Sequence, residues 1–236
     1  MDWTETHVTS TMYQCWGAQA AMYYFYGIRK RILPEKMFGL FWHKVNDRKI
    51  PLVRGFDDIF LAPHSRHTEV NLEEVKACEK ITVLAESDEA GFFLGMSDDG
   101  RKIFIQGHPE YDRVTLDGEY KRDAEKGMEI ALPKNYYKND DPSSRPLLMW
   151  RAHSANLYMN WLNYYVYQIT PYNLSLIHIC SVNTGFLRFL LLLLRLLSWP
   201  CPVQRPVLLF LPACQQPVLQ LLQWWPPRLR RPEKSF

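Results

Sequence analysis

Residues 8–28, VTSTMYQCWGAQAAMYYFYGI, constrain the fold more than any other stretch of the chain. The β-branched and apolar side chains of 8–14 suit a short buried strand, because branching at Cβ fits an extended backbone. From Trp16 the apolar residues recur at helical spacing and stop at Gly27, the residue type that closes helices through a left-handed turn. The segment predicts a strand, then Cys15, then a helix over 16–27. A cysteine in such a turn exposes its sulfur, and the helix N-terminus favours the thiolate. The dipole contributes about 0.3–1 kcal/mol at an exposed position. The free N–H of Trp16 offers more, since one donor to the oxyanion formed when a thiol attacks a carbonyl is worth about 10²–10³ in rate. Taken alone, Cys15 reads better as an inert buried thiol.

Further along, KIPLVRG (49–55) and DIFLAP (58–63) are short apolar segments bounded by charge, Gly or Pro, which predicts two strands or a strand and an active-site loop. NLEEVKAC (71–78) predicts a short helix capped by Asn71. KITVLAES (80–87), AGFFLGMS (90–97) and RKIFIQG (101–107) read as three strands, the last two joined by a DDG turn at 98–100. TLDGEYKRDAEKGME (115–129) is charged and helical in pattern, 134–145 is a polar loop, and 149–168 reads as a long aromatic-rich helix. Strands alternating with helices predict an α/β domain with a largely parallel sheet.

The chain changes character near Leu174. Seven of its 28 basic residues but only one of its 25 acidic residues lie from there onward, leaving 21 basic and 24 acidic in residues 1–173. The body is mildly acidic and offers no basic surface for nucleic acid. Residues 174–236 are rich in Leu, Pro, Trp and Arg, with eight prolines to break any long element, and are expected to be a frameshifted or chimeric, disordered tail. The run FLRFLLLLLRLL (186–197) is short for a membrane span and carries Arg188 and Arg195, so no membrane role is expected. Five cysteines form no C-x-x-C pair and no metal-spaced cluster, which points to a reduced, cytoplasmic setting and no metal. His64 and His67 have a spacing open to metal but lack an evident third ligand; a role in a substrate loop is expected instead. Trp150, Tyr158, Trp161, Tyr164, Tyr165 and Tyr167 fit core and subunit packing better than base stacking, and Cys78 fits a surface or packing role.

A partner for Cys15 comes from IFIQGHPEYD, which leaves an apolar strand through Gly107 and presents His108 and Glu110 two residues apart. In an extended loop both side chains point to one side. Together Cys15, His108 and Glu110 supply a nucleophile, a general base and a carboxylate that fixes the base's tautomer.

Five motifs in this order, VTSTMYQCWGAQAAMYYFYGI, LPEKMFG, RGFDDIFLAPHSRH, GHPEYD and NWLNYYVYQITPY, resemble the MetA-type homoserine O-acyltransferases. The resemblance runs from about residue 2 to Leu174. It implies a flavodoxin-like, class I glutamine amidotransferase-like α/β sheet with flanking helices. It implies acyl transfer from acetyl-CoA, favoured slightly, or succinyl-CoA to L-homoserine in methionine biosynthesis, with acyl-CoA as co-substrate, no further cofactor, and a homodimer. Position by position, the acyl-thioester cysteine matches Cys15, the base His108 and the supporting carboxylate Glu110, while substrate-contacting positions match Lys36, Ser65 and Arg122. Relative to the family the chain starts close to the nucleophile strand, so Met1 is expected to match an internal position and the sheet to be incomplete at the N-terminus. The chain as written is expected to be poorly soluble and inactive, because part of the sheet is missing and unpaired strand edges would be exposed. A glutamine amidotransferase or another hydrolase with the same triad is the alternative, against which stand PEKMFG and HSRH.

Overall fold

The computed structural model describes residues 1–171. The segment from Leu174 onward, with the expected tail and the apolar run 186–197, lies outside the described residues. Chain order is α1 (Asp2–His7), β1 (Thr11–Gln14), α2 (Trp16–Tyr26), β2 (Lys30–Val45), a 3-10 turn (Pro51–Val53), β3 (Ile59–Val70), α3 (Leu72–Ala77), β4 (Ile81–Ser87), β5 (Gly91–Ser97), β6 (Lys102–Ile105), α4 (Thr115–Glu125), a second 3-10 turn (Lys138–Asp140), α5 (Arg151–Asn160) and a π-helical stretch (Trp161–Tyr167).

Six strands form one mixed sheet in the order β1-β6-β5-β4-β2-β3, flanked by helices. Only β1 and β6 run parallel, so the largely parallel sheet expected from the element pattern is corrected. Connection length is the reason: parallel neighbours need a crossover of roughly a dozen residues or more, whereas β4, β5 and β6 follow one another through tight turns that force antiparallel pairing. The KIPLVRG segment is corrected too, because Pro51 opens a 3-10 turn and Leu52 and Val53 are buried there instead of pairing in a sheet. DIFLAP opens β3, a strand of 12 residues paired with β2 from Lys30↔Val70 to Lys44↔Ile59. That ladder shifts register between Ile32 and Met37. Pro34 lies in the gap, and with no N–H to donate it stops the pairing and lets the chain bulge around Lys36.

Period-two alternation sorts the core. Ile103 and Ile105 join Phe60, Leu84, Phe93 and Leu157 on one face of the sheet, while Phe104 joins Ala18, Met22, Val75 and Phe92 on the other. Burying each such large side chain is worth about 1.5–3 kcal/mol. α2 and α3 cover the second face, and α5 with the Pro51–Val53 turn covers the first. A third cluster of Phe38, Leu40, Leu61, Leu116, Tyr136 and Trp150 docks α4 against the β2–β3 ladder.

Helix ends follow the sequence. Gly27 is left-handed at φ 74°, its N–H donates to Tyr23 O at 2.9 Å, and Ile28 N–H donates to Met22 O at 3.3 Å. The Asn71 side chain accepts from Glu73 N–H at 2.9 Å, capping α3 as expected. The aromatic helix expected over 149–168 begins as α5 and widens into the π-helical stretch. Trp150 and Tyr165 are buried in the core, whereas Tyr167 is exposed. Among the described residues no helix is long and apolar enough to cross a membrane.

APHSRH lies within β3 and not in a loop, which corrects the expectation for His64. His64 is fully buried and stacks on His43, with their Nε2 atoms 3.0 Å apart. Arg66 Nε donates to His64 Nδ1 at 3.3 Å. Because a guanidinium only donates, His64 carries its proton on Nε2 and donates to His43 Nε2, leaving the His43 proton on Nδ1. Burial holds both imidazoles neutral: His43 falls to about 3 and His64 well below its ordinary 6.5. His67, three residues on, is exposed on the opposite side of the strand.

Candidate active site

Cys15 stands between β1 and α2 with φ 48° and ψ −116°, a backbone conformation that L-residues rarely adopt. Its N–H donates to Ile105 O at 2.7 Å, which pins the junction to the end of β6. Strain of this kind costs of order 1–3 kcal/mol and persists only where neighbours enforce it. The strand that leads in is four residues long and half-buried, shorter than expected. Trp16 opens α2, so its N–H has no intrahelical acceptor and is free to face an oxyanion beside Cys15.

The other half of the site arrives at the end of β6. A Cβ at Gly107 would sit 2.8 Å from Phe93 Cε2, 3.0 Å from Pro63 O and 3.1 Å from His64 Cε1, so only glycine lets the chain pass so close to β3 and β5. His108 N–H then donates to Pro63 O at 2.8 Å. The imidazole stacks on Tyr111 with ring centroids 4.3 Å apart. Its Nδ1 donates to Glu110 Oε1 at 2.9 Å, which leaves Nε2 free, and the Cys15 side chain lies close enough to act on the His108 charge. Burial would lower the His108 pKa, but the Cys15 and Glu110 contacts outweigh it and raise it from 6.5 to about 9. Cys15, His108 and Glu110, expected together from the sequence, are brought together: His108 is hydrogen-bonded to Glu110 and lies close to Cys15.

Gln14 was not anticipated. From the last position of β1 its Nε2 donates to Glu110 Oε2 and, at 3.4 Å, to Gly107 O. The residue before Cys15 thereby holds the Glu110 carboxylate that accepts from His108. Its only sequence signal is its adjacency to Cys15.

Lys36, Ser65 and Arg122 also converge, around a residue that sequence reasoning missed. Glu119 Oε1 accepts from Lys36 Nζ at 2.6 Å and from Ser65 Oγ at 2.7 Å, and lies 4.0 Å from Arg122 Nη2. Arg122 Nε donates to Asp123 Oδ1 at 2.6 Å, and that contact holds the Asp123 carboxyl below the usual carboxylate range. Glu119, Arg122 and Asp123 sit at i, i+3 and i+4 on α4, which is the signal that could have placed Glu119 beside Arg122. Next to this cluster a cleft of about 710 Å³ is lined by Pro34, Lys36, Phe38, His67 and Asp123 among others. Ser65 lies two residues beyond Pro63, whose carbonyl seats His108, so the cluster and the triad share one stretch of β3. Cys78 ends α3 and packs partly buried against the α2 face of the sheet.

Residues 1–172 match the family model described as homoserine O-succinyltransferase. The chain belongs to that family. Family members similar to it include proteins named homoserine O-acetyltransferase from Lachnoclostridium phytofermentans, 65% identical over 174 residues, and from Agathobacter rectalis, 60% identical over 172. The first match covers 74% of this chain and 58% of the relative, and the second 73% and 56%. The chain thus spans little more than half the length of the curated relatives it matches. Among solved structures it is similar to a glutamine amidotransferase from Methylobacillus flagellatus, with TM-score 0.47, 12% identity, and coverage of 68% of this chain and 65% of that one.

Proposed function

We propose that these residues perform acyl transfer from an acyl-CoA thioester to the side-chain hydroxyl of L-homoserine, as a step of methionine biosynthesis in the cytoplasm. The observation that carries the reading is the grouping of Cys15 with the hydrogen-bonded pair His108–Glu110, on the same stretch of β3 that reaches a cluster of opposite charges, Lys36, Arg122, Glu119 and Asp123. Glutamine is a zwitterion too, so the cluster suits either amino acid, and it is the family match that favours homoserine as the acceptor.

In this mechanism the Cys15 proton moves to His108 Nε2 and Sγ attacks the thioester carbonyl. The oxyanion takes the Trp16 N–H, the carbon–sulfur bond to coenzyme A breaks, and the leaving thiolate takes the proton from His108. Homoserine then gives its hydroxyl proton to His108 while its oxygen attacks the acyl-Cys15 carbonyl, releasing the cysteine and forming O-acylhomoserine. Glu119 suits the acceptor's ammonium, and Arg122 with Lys36 its carboxylate, because a guanidinium holds a carboxylate in a fork. The names of the 60–65% identical relatives favour acetyl as the group transferred.

Although the sequence predicts an inactive chain, Cys15, His108 and Glu110 come together among the described residues, which puts the reaction within reach of a direct test. Incubating the purified chain with acetyl-CoA is expected to add one acetyl group to Cys15 and to release one equivalent of coenzyme A. Homoserine should then discharge the acyl-enzyme, and glutamine should not be hydrolysed. Glutaminase activity with no acylation of Cys15 would overturn the reading in favour of an amidotransferase.

A further inference from the structure

One surface beside the nucleophile has no role in the mechanism above. Trp16, Gln19, Ala20 and Tyr23 fall at i, i+3, i+4 and i+7, so they share one face of α2, and with Arg29 and Lys30 they line a cleft of about 360 Å³. Trp16 and Tyr23 are 65% and 58% exposed, an unusual pair of open aromatic rings on one helix face. Two helical turns, about 10 Å, separate their backbone positions. Ala20 between them leaves a shallow floor against which a flat group can lie. Gln19 is committed below, its amide exchanging hydrogen bonds with Thr68 at 2.7 and 3.0 Å.

The charge at the cleft's rim is as specific as its aromatic walls. Gly27 turns the chain back at the end of α2, and Arg29, Lys30 and Arg31 follow in succession. Arg31 is held by Glu69 at 2.7 Å. Among the described residues, no carboxylate pairs with Arg29 or Lys30 within the 4.0 Å that defines the other ion pairs. The Lys30 ammonium instead lies 5.7 Å from the centroid of the Trp16 ring. Open aromatic faces suit a planar heterocycle, and unpaired Arg and Lys at their edge suit phosphate oxygens.

We propose that this cleft takes the phosphate-bearing nucleotide half of the thioester donor, with its heterocycle against Trp16 and Tyr23 and its phosphates on Arg29 and Lys30. The inference rests on the acyl-transfer reading and deepens it. Trp16 follows Cys15 directly, so a donor anchored along α2 can lead its thioester arm toward the sulfur. The acceptor's charges lie elsewhere, on α4 and the β2 bulge. The two substrates would thus be held by separate elements, which suits a reaction in which they bind in turn.

The test is a fluorescence titration of the full chain with coenzyme A and with pantetheine, which lacks the nucleotide. The double variant Arg29→Gln/Lys30→Gln is expected to bind coenzyme A about tenfold or more weakly, since two charge-assisted contacts are lost, with pantetheine binding unchanged. Arg31→Gln removes the same kind of charge one residue away and should leave coenzyme A binding intact. The rate of Cys15 acetylation should fall in the double variant with acetyl-CoA but not with S-acetyl-N-acetylcysteamine. Equal coenzyme A affinity in wild type and double variant, no binding by the wild type, or a change only in oligomeric state by light scattering would each overturn the assignment. Coenzyme A binding that depends on Arg29 and Lys30, without acylation of Cys15 by either thioester, would support the cleft and count against the acyl-transfer reading.

Discussion

Gln14 donates a hydrogen bond to the Glu110 carboxylate, so the residue that precedes Cys15 in sequence also steadies the partner of His108. β1 thereby controls both ends of the triad. Replacing Gln14 by Leu leaves Cys15 in place but removes one of the two donors to Glu110. Hydrogen bonds to charged groups are worth about 1.5–3 kcal/mol, so the Cys15 acetylation rate should fall about tenfold or more. Stopped-flow measurement of coenzyme A release checks this, and an unchanged rate would show that Glu110 is held by other means.

Stability should fall above neutral pH because of His108. Its folded pKa of about 9 exceeds the ordinary 6.5, so its contribution is full below 6.5 and is lost as pH rises toward 9. Urea midpoints of wild type and His108→Ala should differ most below 6.5 and converge near 9. A gap that widens with pH would contradict the sign.

The buried pair acts in the opposite direction. His43 and His64 stay neutral in the fold but take protons when unfolded below 6.5, so stability should decline as pH drops from 6.5 toward 3. With His108 acting only above 6.5, these three imidazoles place their combined optimum near that pH. A urea midpoint that rises on acidification below 6.5 would rule this out.

Cys15 has φ 48°, a value glycine adopts freely. Cys15→Gly should therefore be more stable than Cys15→Ala by about 1 kcal/mol or more, although neither can be acylated. Thermal unfolding of the two inactive variants measures the strain without interference from chemistry.

Glu119→Gln should separate the two half-reactions. Acylation of Cys15 by acetyl-CoA is expected to stay near the wild-type rate, while the homoserine concentration needed for half-maximal discharge rises about tenfold or more, as a charge-assisted contact is lost. Equal loss in both steps would mean that Glu119 serves the fold and not the acceptor.

What was legible in the sequence was local. Gly27, Asn71 and the strand–Cys15–helix pattern each encode their structure within a turn or two, and each formed, the strand shorter than read. GHPEYD was legible because two functional groups sit two residues apart. The β2–β3 ladder was hidden, since Pro34, Gly39 and the charges of 30–37 break the alternation that marks a strand. The meeting of Lys36 and Ser65 with Glu119 was hidden for a further reason. It depends on the bulge in β2 and on α4 docking through Leu116, a contact between residues far apart in the chain. His64 misled because a polar motif in a Pro- and Ser-containing stretch looks like a loop, whereas its imidazole is neutralised inside the core.

β3 has a consequence for how this site can change. Pro63 seats His108, Ser65 meets Glu119, and His64 and Arg66 between and beyond them are locked into the core. A one-residue slip of this strand would exchange a hydroxyl at the site for an imidazole drawn from the interior, disabling chemistry and packing together. Acceptors of new shape are therefore best accommodated from α4, whose side chains reach the cluster from outside the sheet. The strand itself is fixed from both sides, and α4 is the adjustable jaw.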